Sequence, residues 1–265
     1  MINRMFSTFE PTDQRMVRWL DARGSLSVEN VALCAAPLGL THGIRVVDFG
    51  CGTGAGTAAL ARLAGAGGAV LGVDSHPALL AAAQRHGGQP QLRFKLADAC
   101  ATGERAACWD VCWIDRVLAH CADPSLVIAE AARLLRAGGR LFSCELDYAG
   151  LQIDDCSQTL ADALESYRRA FAQPAAAEEL MPRLRAAFPL ARIHQQRQQF
   201  MFTKRSALLQ ALGVPLWLRS RTAAADSGQA LLHAARRELG SRGREGGLSA
   251  QLPVQWTLVW TARGA

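Results

Sequence analysis

The chain has 265 residues, of which half are hydrophobic and a fifth are charged. This length permits a large domain with a substantial core, and the composition excludes a disordered or collagen-like chain. The net charge of +6 comes from arginines scattered through the C-terminal part. Because they form no dense basic stripe with interleaved aromatic residues, this charge does not predict nucleic-acid binding.

Targeting signals and cysteine usage indicate a cytoplasmic protein. The first residues lack the apolar run of a signal peptide, and no stretch of about 18 apolar residues suggests a membrane span. The eight cysteines form no C-x-x-C pair and mostly lie in apolar stretches. We therefore expect buried, reduced thiols and no metal site.

Strands and helices alternate along the first 150 residues. After a helical segment, short apolar runs predict strands at 44–49, 69–73, 92–96, 110–114 and 140–145. The helix that follows the fourth strand begins at Asp123-Pro124 and is predicted to stop before Gly138-Gly139. This alternation predicts a parallel sheet with helices on both faces.

The pattern changes after residue 150. Residues 157–187 and 205–240 favour helix, with breaks expected near Pro174 and Pro182, and 191–203 favours a strand. Residues 254–260 alternate strictly between apolar and polar side chains, which predicts a final strand.

A glycine-rich loop, Asp48-Phe49-Gly50-Cys51-Gly52-Thr53-Gly54, joins the first strand to a helix. Glycines let the backbone approach a ligand closely. The spacing of Gly50, Gly52 and Ala55 also fits a dinucleotide fingerprint, so a nicotinamide-dependent oxidoreductase is an alternative. Asp48 argues against that alternative, because a dinucleotide site normally has an apolar strand residue at this position.

Acidic residues follow three successive strands. Asp48 ends the first strand, Asp74 ends the second, and Asp98 follows the third in Leu96-Ala97-Asp98-Ala99. Because the carboxyl ends of parallel strands meet at one edge of a sheet, these acids are predicted to line one ligand site.

These motifs together resemble the class I S-adenosylmethionine (SAM)-dependent methyltransferases. The loop 48–54 looks like the first motif of that family. The stretch Asp115-Arg116-Val117-Leu118-Ala119-His120-Cys121-Ala122-Asp123-Pro124 is similar to the fourth-strand motif of its ubiquinone/menaquinone-methyltransferase-like (type 11/25-like) group. Leu134-Leu135-Arg136-Ala137-Gly138-Gly139-Arg140 resembles that group's motif before strand five.

The resemblance implies an α/β fold, a Rossmann-like doubly wound sheet of seven strands with an antiparallel last strand and a helical cap and lid. It implies one methyltransferase domain over 1–265, with an N-terminal helical cap at 1–40, a SAM-binding core at 44–150 and a helical lid inserted at 205–250.

The resemblance also implies SAM as the cofactor. Asp48 would face the amino group of its amino-acid moiety, Asp74 would accept from the ribose hydroxyls, and Asp98 would accept from the adenine amine beside the Ala99 amide. The full set of expected cofactor residues is Asp48, Gly50, Cys51, Gly52, Gly54, Asp74, Ser75, Asp98, Ala99 and Asp115.

His120 is the candidate catalytic residue, because it follows strand four at the ligand edge and histidine titrates near neutrality. A packing role is the alternative. Less specific candidates are Glu145, Asp147 and Tyr148 after strand five, Trp217, Arg219 and Arg221 in the lid, Arg15 and Arg18 near the cofactor carboxylate, Leu79 beside the adenine, and His194 and His233.

The sequence therefore predicts methyl transfer from SAM to oxygen, nitrogen or carbon of a small molecule, an aromatic or heteroaromatic metabolite being one candidate. The alternatives are a quinone-ring C-methyltransferase and a SAM-binding protein that transfers no methyl group. RNA and protein methyltransferases are disfavoured, because Asp115-Arg116-Val117-Leu118 replaces their Asn/Asp-Pro-Pro-aromatic motif. We expect no nucleic-acid or membrane partner, and a homodimer is left open.

Overall fold

The computed structural model describes residues 14–155, 157–171, 180–203, 208, 237–238 and 249–262. The chain divides into two compact units. The larger unit contains residues 1–145, 175–196 and 256–265, and the smaller contains 146–174 and 197–255.

The described helices and strands follow in chain order. The helices are α1 (Gln14–Ala22), α2 (Gly24–Cys34), α3 (Ala55–Ala64), α4 (Pro77–Ala83), α5 (Pro124–Leu134), α6 (Gln158–Phe171) and α7 (Leu180–Ala187). The strands are β1 (Arg45–Phe49), β2 (Ala69–Asp74), β3 (Leu92–Leu96), β4 (Trp109–Asp115), β5 (Leu135–Leu146), β6 (Gln152–Ile153), β7 (Arg192–Phe202) and β8 (Ala250–Trp260). Short 3₁₀ turns lie at Gln84–His86 and Leu118–His120.

Five parallel strands form the centre of the sheet, in the order β3-β2-β1-β4-β5. Next to β5 lies β8, and β7 pairs with β8. The Gly138 N–H donates to the Ala262 carbonyl and the Thr261 N–H donates to the Gly139 carbonyl, an antiparallel pattern. The predicted fold class, a Rossmann-like sheet with an antiparallel last strand, is confirmed.

The described residues form eight strands, one more than the seven predicted. In the smaller unit β6 pairs antiparallel with β8, with Gln152 opposite Gln251 and Ile153 opposite Ala250. Two residues are too few for an alternating pattern to be recognised. The break expected at Pro182 is also absent, because this proline lies in the first turn of α7, where it replaces no helical hydrogen bond.

The start of β5 differs from the prediction. The helix α5 ends at Leu134, and the strand begins immediately at Leu135 rather than at Arg140. Opposite it, Trp109 pairs with Leu135 and Val111 pairs with Arg140, so residues 136–139 form a bulge. Gly138 in this bulge has a φ of 73°. The two glycines therefore shape an irregular strand and do not mark a helix end.

The main core lies between the sheet and helices α5 and α7 of the larger unit. Leu134 and Leu184 are completely buried in it, together with Val47 and Cys112 from the strands. Elsewhere in the sheet, the rings of Trp113 and Phe142 on adjacent strands stack with centroids 3.8 Å apart. Burial of such aromatic and branched side chains is the main source of stability for a sheet covered by helices.

The N-terminal helices pack against the core of the larger unit. Met16 and Val17 of α1 are buried against Leu79 and Ala82 of α4. Helix α2 lies so close to α3 that a Cβ added at Gly24 would come within 2.9 Å of the Ala55 Cβ. A Cβ added at Gly56 would likewise lie 3.1 Å from the Ser27 Cβ. This contact therefore requires small residues on both helices.

Other expectations concern cysteines, metals and membranes. The seven cysteines within the described ranges are free thiols. Among the described residues, no three His, Cys, Asp or Glu side chains are grouped so that they could hold a metal ion. None of the helices in the described part of the chain is both long and apolar enough to span a bilayer.

Candidate functional site

The glycine-rich loop between β1 and α3 has a backbone that other residues cannot readily adopt. Gly50, Gly52 and Gly54 have φ values of 62°, 56° and 84°. A Cβ at Gly50 would lie 2.7 Å from a methyl group of Val117. A Cβ at Gly54 would lie 2.9 Å from the Phe94 ring. Gly50 and Gly54 are thus required both by left-handed conformation and by close packing, and Gly52 by left-handed conformation.

Asp74 ties the end of β2 to this loop. One of its carboxylate oxygens accepts from the Gly52 N–H at 2.9 Å, and the other accepts from the His76 N–H at 2.9 Å. Burial raises the pKa of Asp74, while these hydrogen bonds oppose the rise. A carboxylate offers about four lone-pair sites, so both oxygens can still accept from hydroxyl groups of a ligand.

Asp48 is the most perturbed acid of the loop. Its side chain is buried, and its Oδ2 accepts from the Thr57 hydroxyl at 2.6 Å. Burial raises the pKa of Asp48 to about 8; the Thr57 hydrogen bond opposes this rise, and the negative charge of Asp115 adds to it. The carboxyl is therefore largely protonated at neutral pH unless a cation is placed beside it.

The remaining predicted residues of this edge are more exposed. Asp98 lies in solvent after β3, and its Oδ1 accepts from the Cys100 N–H at 2.8 Å. Ala99 and Cys51 are half-buried, and Ser75 is exposed just after β2. Asp48 thus lies near the end of β1, Asp74 ends β2 and Asp98 follows β3, and these three strands are adjacent in the sheet.

Asp115, at the end of β4, makes contacts that the sequence did not suggest. Its Oδ1 accepts from Arg116 Nε and from Asn30 Nδ2 of helix α2, both at 3.0 Å. Arg116 has a φ of 60°, and its guanidinium also donates to the Ser27 hydroxyl. Asp115 and Arg116 therefore connect the ligand edge of the sheet to α2, and a cofactor role for Asp115 stays a prediction.

His120 ends the 3₁₀ turn that follows β4. Burial lowers the pKa of His120 to about 3, and the positive charges of Arg23 and Arg116 add to this shift. The imidazole is therefore neutral throughout the physiological range, in contrast to the expectation that it titrates near neutrality. Its catalytic role stays a prediction.

Glu145, from β5, holds the same turn. Its buried carboxylate accepts from the backbone N–H groups of Val117, Leu118 and Ala119, at 3.1, 2.8 and 3.4 Å. Burial raises the pKa of Glu145 to about 7 against the effect of these three hydrogen bonds. From the sequence, Glu145 could line a pocket or cap a loop. Its contacts in the structure are those of a residue that caps the turn.

Arg23, between α1 and α2, was not recognised from the sequence. It is 5% exposed, and its guanidinium lies 4.5 Å from the centre of the Trp19 ring. Arg23 could have been recognised because it and Asn30 are polar residues among the apolar positions of the N-terminal helices. A buried arginine or asparagine needs a polar partner, which for Asn30 is Asp115.

The secondary candidates have different local environments. Arg18 and His194 are exposed, and Leu79 belongs to the apolar contact of α1 with α4. In the smaller unit, Asp147 pairs with Arg197 at 2.5 Å, and Tyr148 is half-buried. The Arg15 side chain, Trp217, Arg219, Arg221, His233 and most of 205–250 lie outside the described residues.

Comparison with known proteins finds a matching domain model and curated relatives. Residues 47–143 match the family model described as a methyltransferase domain. The ubiquinone biosynthesis O-methyltransferase of Xanthomonas oryzae is 34% identical over 140 residues, which are 49% of this chain and 56% of the relative. The chain thus spans about half the length, or less, of the first curated relatives it matches.

Solved structures share the fold over most of the chain. The [4+2]-cyclase SpnF aligns with 22% identity and a TM-score of 0.58, covering 89% of this chain and 81% of that one. Phosphoethanolamine N-methyltransferase 2 of Haemonchus contortus, solved with phosphomonomethylethanolamine and S-adenosylhomocysteine, aligns with 16% identity and a TM-score of 0.55. That alignment covers 89% of this chain and 52% of the other. The domain match and the ordered motifs support a class I SAM-dependent methyltransferase, and the solved structures show that the chain shares the fold.

Proposed function

We propose that the chain binds SAM at the carboxyl edge of β1, β2 and β3 and transfers its methyl group to a small-molecule acceptor. The observation that carries this proposal is the set of three acids, Asp48, Asp74 and Asp98, around a glycine loop in left-handed conformation. Each acid suits a different polar group of the cofactor, and the loop leaves its backbone accessible.

The residues fit the cofactor in three respects. Burial raises the pKa of Asp48, and the ammonium group of SAM would be a cation that favours the ionised carboxyl. Asp74 has acceptor capacity left for the two ribose hydroxyls, and Asp98 is exposed for the adenine amine. Above Gly52 there is room, since an added Cβ would meet only Leu20, at 3.8 Å. Gly50, Cys51, Gly54, Ser75, Ala99 and Asp115 complete the proposed set.

In methyl transfer the cofactor supplies an electrophilic methyl group, and the protein aligns and desolvates the attacking atom. We propose that His120 orients the acceptor through a neutral imidazole. A general base is less suited to this position, because an imidazole whose pKa is lowered to about 3 is only weakly basic.

Oxygen, nitrogen and carbon acceptors are all compatible with this site. The Xanthomonas relative is named an O-methyltransferase, which favours oxygen, but the aligned half contains the cofactor core. A quinone-ring C-methyltransferase is the alternative within enzymes. SAM binding without methyl transfer is the alternative outside methylation, and SpnF, described as a [4+2]-cyclase, has the same fold.

The first experiment measures cofactor binding. S-adenosylhomocysteine should bind in calorimetry, and Asp74→Ala should weaken it about 10- to 100-fold, because charge-assisted hydrogen bonds contribute about 1.5–3 kcal/mol. Asp162→Ala, at an exposed site on α6, is the control. Binding of NADH in place of S-adenosylhomocysteine would contradict the proposal.

The second experiment separates the alternatives. Transfer of a radioactive methyl group from SAM is measured with phenols, catechols, amines and quinols, and with RNA and protein as macromolecular controls. Cofactor binding without transfer to any of them would favour the non-methylating alternative.

We also propose the organisation expected from the resemblance: one methyltransferase domain over 1–265, a cap at 1–40, a SAM-binding core at 44–150 and a lid at 205–250. Hydrogen exchange with and without cofactor tests the lid, since a lid gains protection when it closes. A cytoplasmic location belongs to the same proposal, and a homodimer stays open.

A further inference from the structure

A side chain from β5 accepts hydrogen bonds from three successive residues of the turn between β4 and α5. Val117, Leu118 and Ala119 direct their backbone N–H groups at the Glu145 carboxylate, at 3.1, 2.8 and 3.4 Å. Within the turn, the His120 N–H donates to the Val117 carbonyl at 2.9 Å, and just before it the Arg116 N–H donates to the Cys144 carbonyl of β5 at 2.7 Å. The Glu145 carboxylate therefore adds three side-chain hydrogen bonds to the attachment of the turn to β5.

This turn links two parts of the proposed site. At its start, Val117 lies against Gly50, where an added Cβ would be 2.7 Å from a Val117 methyl group. At its end lies His120. A displacement of the turn would therefore move His120 and also remove the packing that supports the glycine-rich loop.

The hold of Glu145 depends on its charge. An ionised carboxylate accepts from three N–H groups strongly, whereas a protonated one has a hydroxyl that must itself donate. Burial raises the pKa of Glu145 to about 7, the three N–H groups oppose this rise, and the negative charge of Asp115 adds to it.

Two thiols also interact with Glu145, those of Cys121 and Cys144. Burial raises the pKa of Cys121 to about 12 and that of Cys144 far above its usual value. Both thiols are therefore uncharged near neutrality, and their charge does not change as Glu145 titrates.

We propose that Glu145 is a positioning residue whose ionised form fixes the turn carrying His120 against the glycine-rich loop, so that methyl transfer requires this form. This inference rests on the proposed function for its catalytic consequence. Its structural part concerns the turn alone and can be tested without an acceptor.

The decisive measurement is amide hydrogen exchange of Val117, Leu118 and Ala119 in the full chain, corrected for the intrinsic pH dependence of exchange. The three N–H groups lower the pKa of Glu145, so ionisation favours the held turn over a turn displaced from the still-buried carboxyl. In the wild type, protection at these amides should therefore fall by up to about tenfold between pH 8 and pH 6, because the charge-assisted hydrogen bonds are lost. In Glu145→Gln, protection should be low at both pH values. Unchanged protection in the wild type overturns the proposal, and this holds even where the variant does not fold.

Glu130→Gln is the matched control. Glu130 is also a buried glutamate of the larger unit, and it accepts from the Thr102 N–H at 2.9 Å, away from the turn. This variant should keep the protection of 117–119 and its pH dependence. An equal loss of protection in both variants would make the Glu145 effect one of general stability and overturn the proposal.

Two further measurements separate this inference from the proposed function. Binding of S-adenosylhomocysteine by the wild type tests the function alone. Once the methyl-transfer screen has given an acceptor, kcat at saturating SAM should fall as the pH is lowered through about 7, and Glu145→Gln should abolish this dependence. A folded Glu145→Gln protein with wild-type kcat and wild-type pH profile overturns the role of Glu145 and leaves the function intact.

Discussion

Replacing Asp48 with asparagine should make the unliganded protein more stable at alkaline pH. The asparagine oxygen can still accept from the Thr57 hydroxyl, which lies 2.6 Å from the carboxylate, and the side chain keeps its shape. What changes is the charge, because asparagine cannot ionise in the buried position that raises the pKa of Asp48 to about 8.

The sign follows from proton linkage. The pKa of Asp48 is higher in the folded chain, where it is about 8, than its usual value of 3.8. Between these values the folded state binds more protons than the unfolded state, so the free energy of unfolding falls as the pH rises through this window. The contribution is fully present below about pH 4 and is lost above about pH 8.

The size follows from the same shift. One pKa unit corresponds to about 1.4 kcal/mol, so between pH 5 and pH 8 the wild type should lose about 4 kcal/mol that Asp48→Asn retains. This is a large part of the 5–15 kcal/mol that stabilises typical proteins.

Urea unfolding at several pH values between 5 and 8 tests this difference, with Asp162→Asn at an exposed site as the control. Saturating SAM should reduce the difference, because its cationic groups would favour the ionised carboxyl. If the unfolding free energies of wild type and Asp48→Asn change in parallel from pH 5 to pH 8, the raised pKa and the reasoning from it are refuted.

Two further predictions concern the glycine loop and His120. Gly54→Ala should lower the free energy of unfolding by about 2 kcal/mol more than Gly43→Ala, because the φ values are 84° and 83° but only Gly54 has neighbours that an added Cβ would contact. Equal losses in urea unfolding would show that the close contact with Phe94 costs nothing. The wild type should lose about 2 kcal/mol of unfolding free energy as the pH falls from above 6.5 to 5, because the folded protein lowers the pKa of His120 to about 3. His120→Gln should not show this loss. Identical pH dependence of wild type and variant would contradict this assignment.

The sequence predicted those features that are determined by residues close together in the chain. The glycines at 50, 52 and 54 follow an apolar run, and Asp48 and Asp74 end such runs, so strand ends, loop and acids could be placed together. The edge at which they meet follows from parallel pairing, which the alternation of helices and strands already implied.

Long-range contacts could not be predicted in this way. Glu145 caps a turn 28 residues earlier in the chain, and Asn30 reaches Asp115 across 85 residues. No local pattern records such a pair. The low pKa of His120 could not be predicted for the same reason. It comes from burial and from two arginines, of which Arg23 lies far away in the sequence. The bulge before Arg140 was missed because paired glycines more often end helices.

The tight packing of α2 on α3 restricts how this N-terminal segment can diverge between related proteins. Gly24 and Ser27 of α2 meet Ala55 and Gly56, residues that directly continue the glycine-rich loop. A replacement segment from a relative would have to present equally small residues at the same two positions. Exchange of α2 should therefore preserve the fold when the incoming helix has small residues at these two positions, or when α3 is exchanged with it.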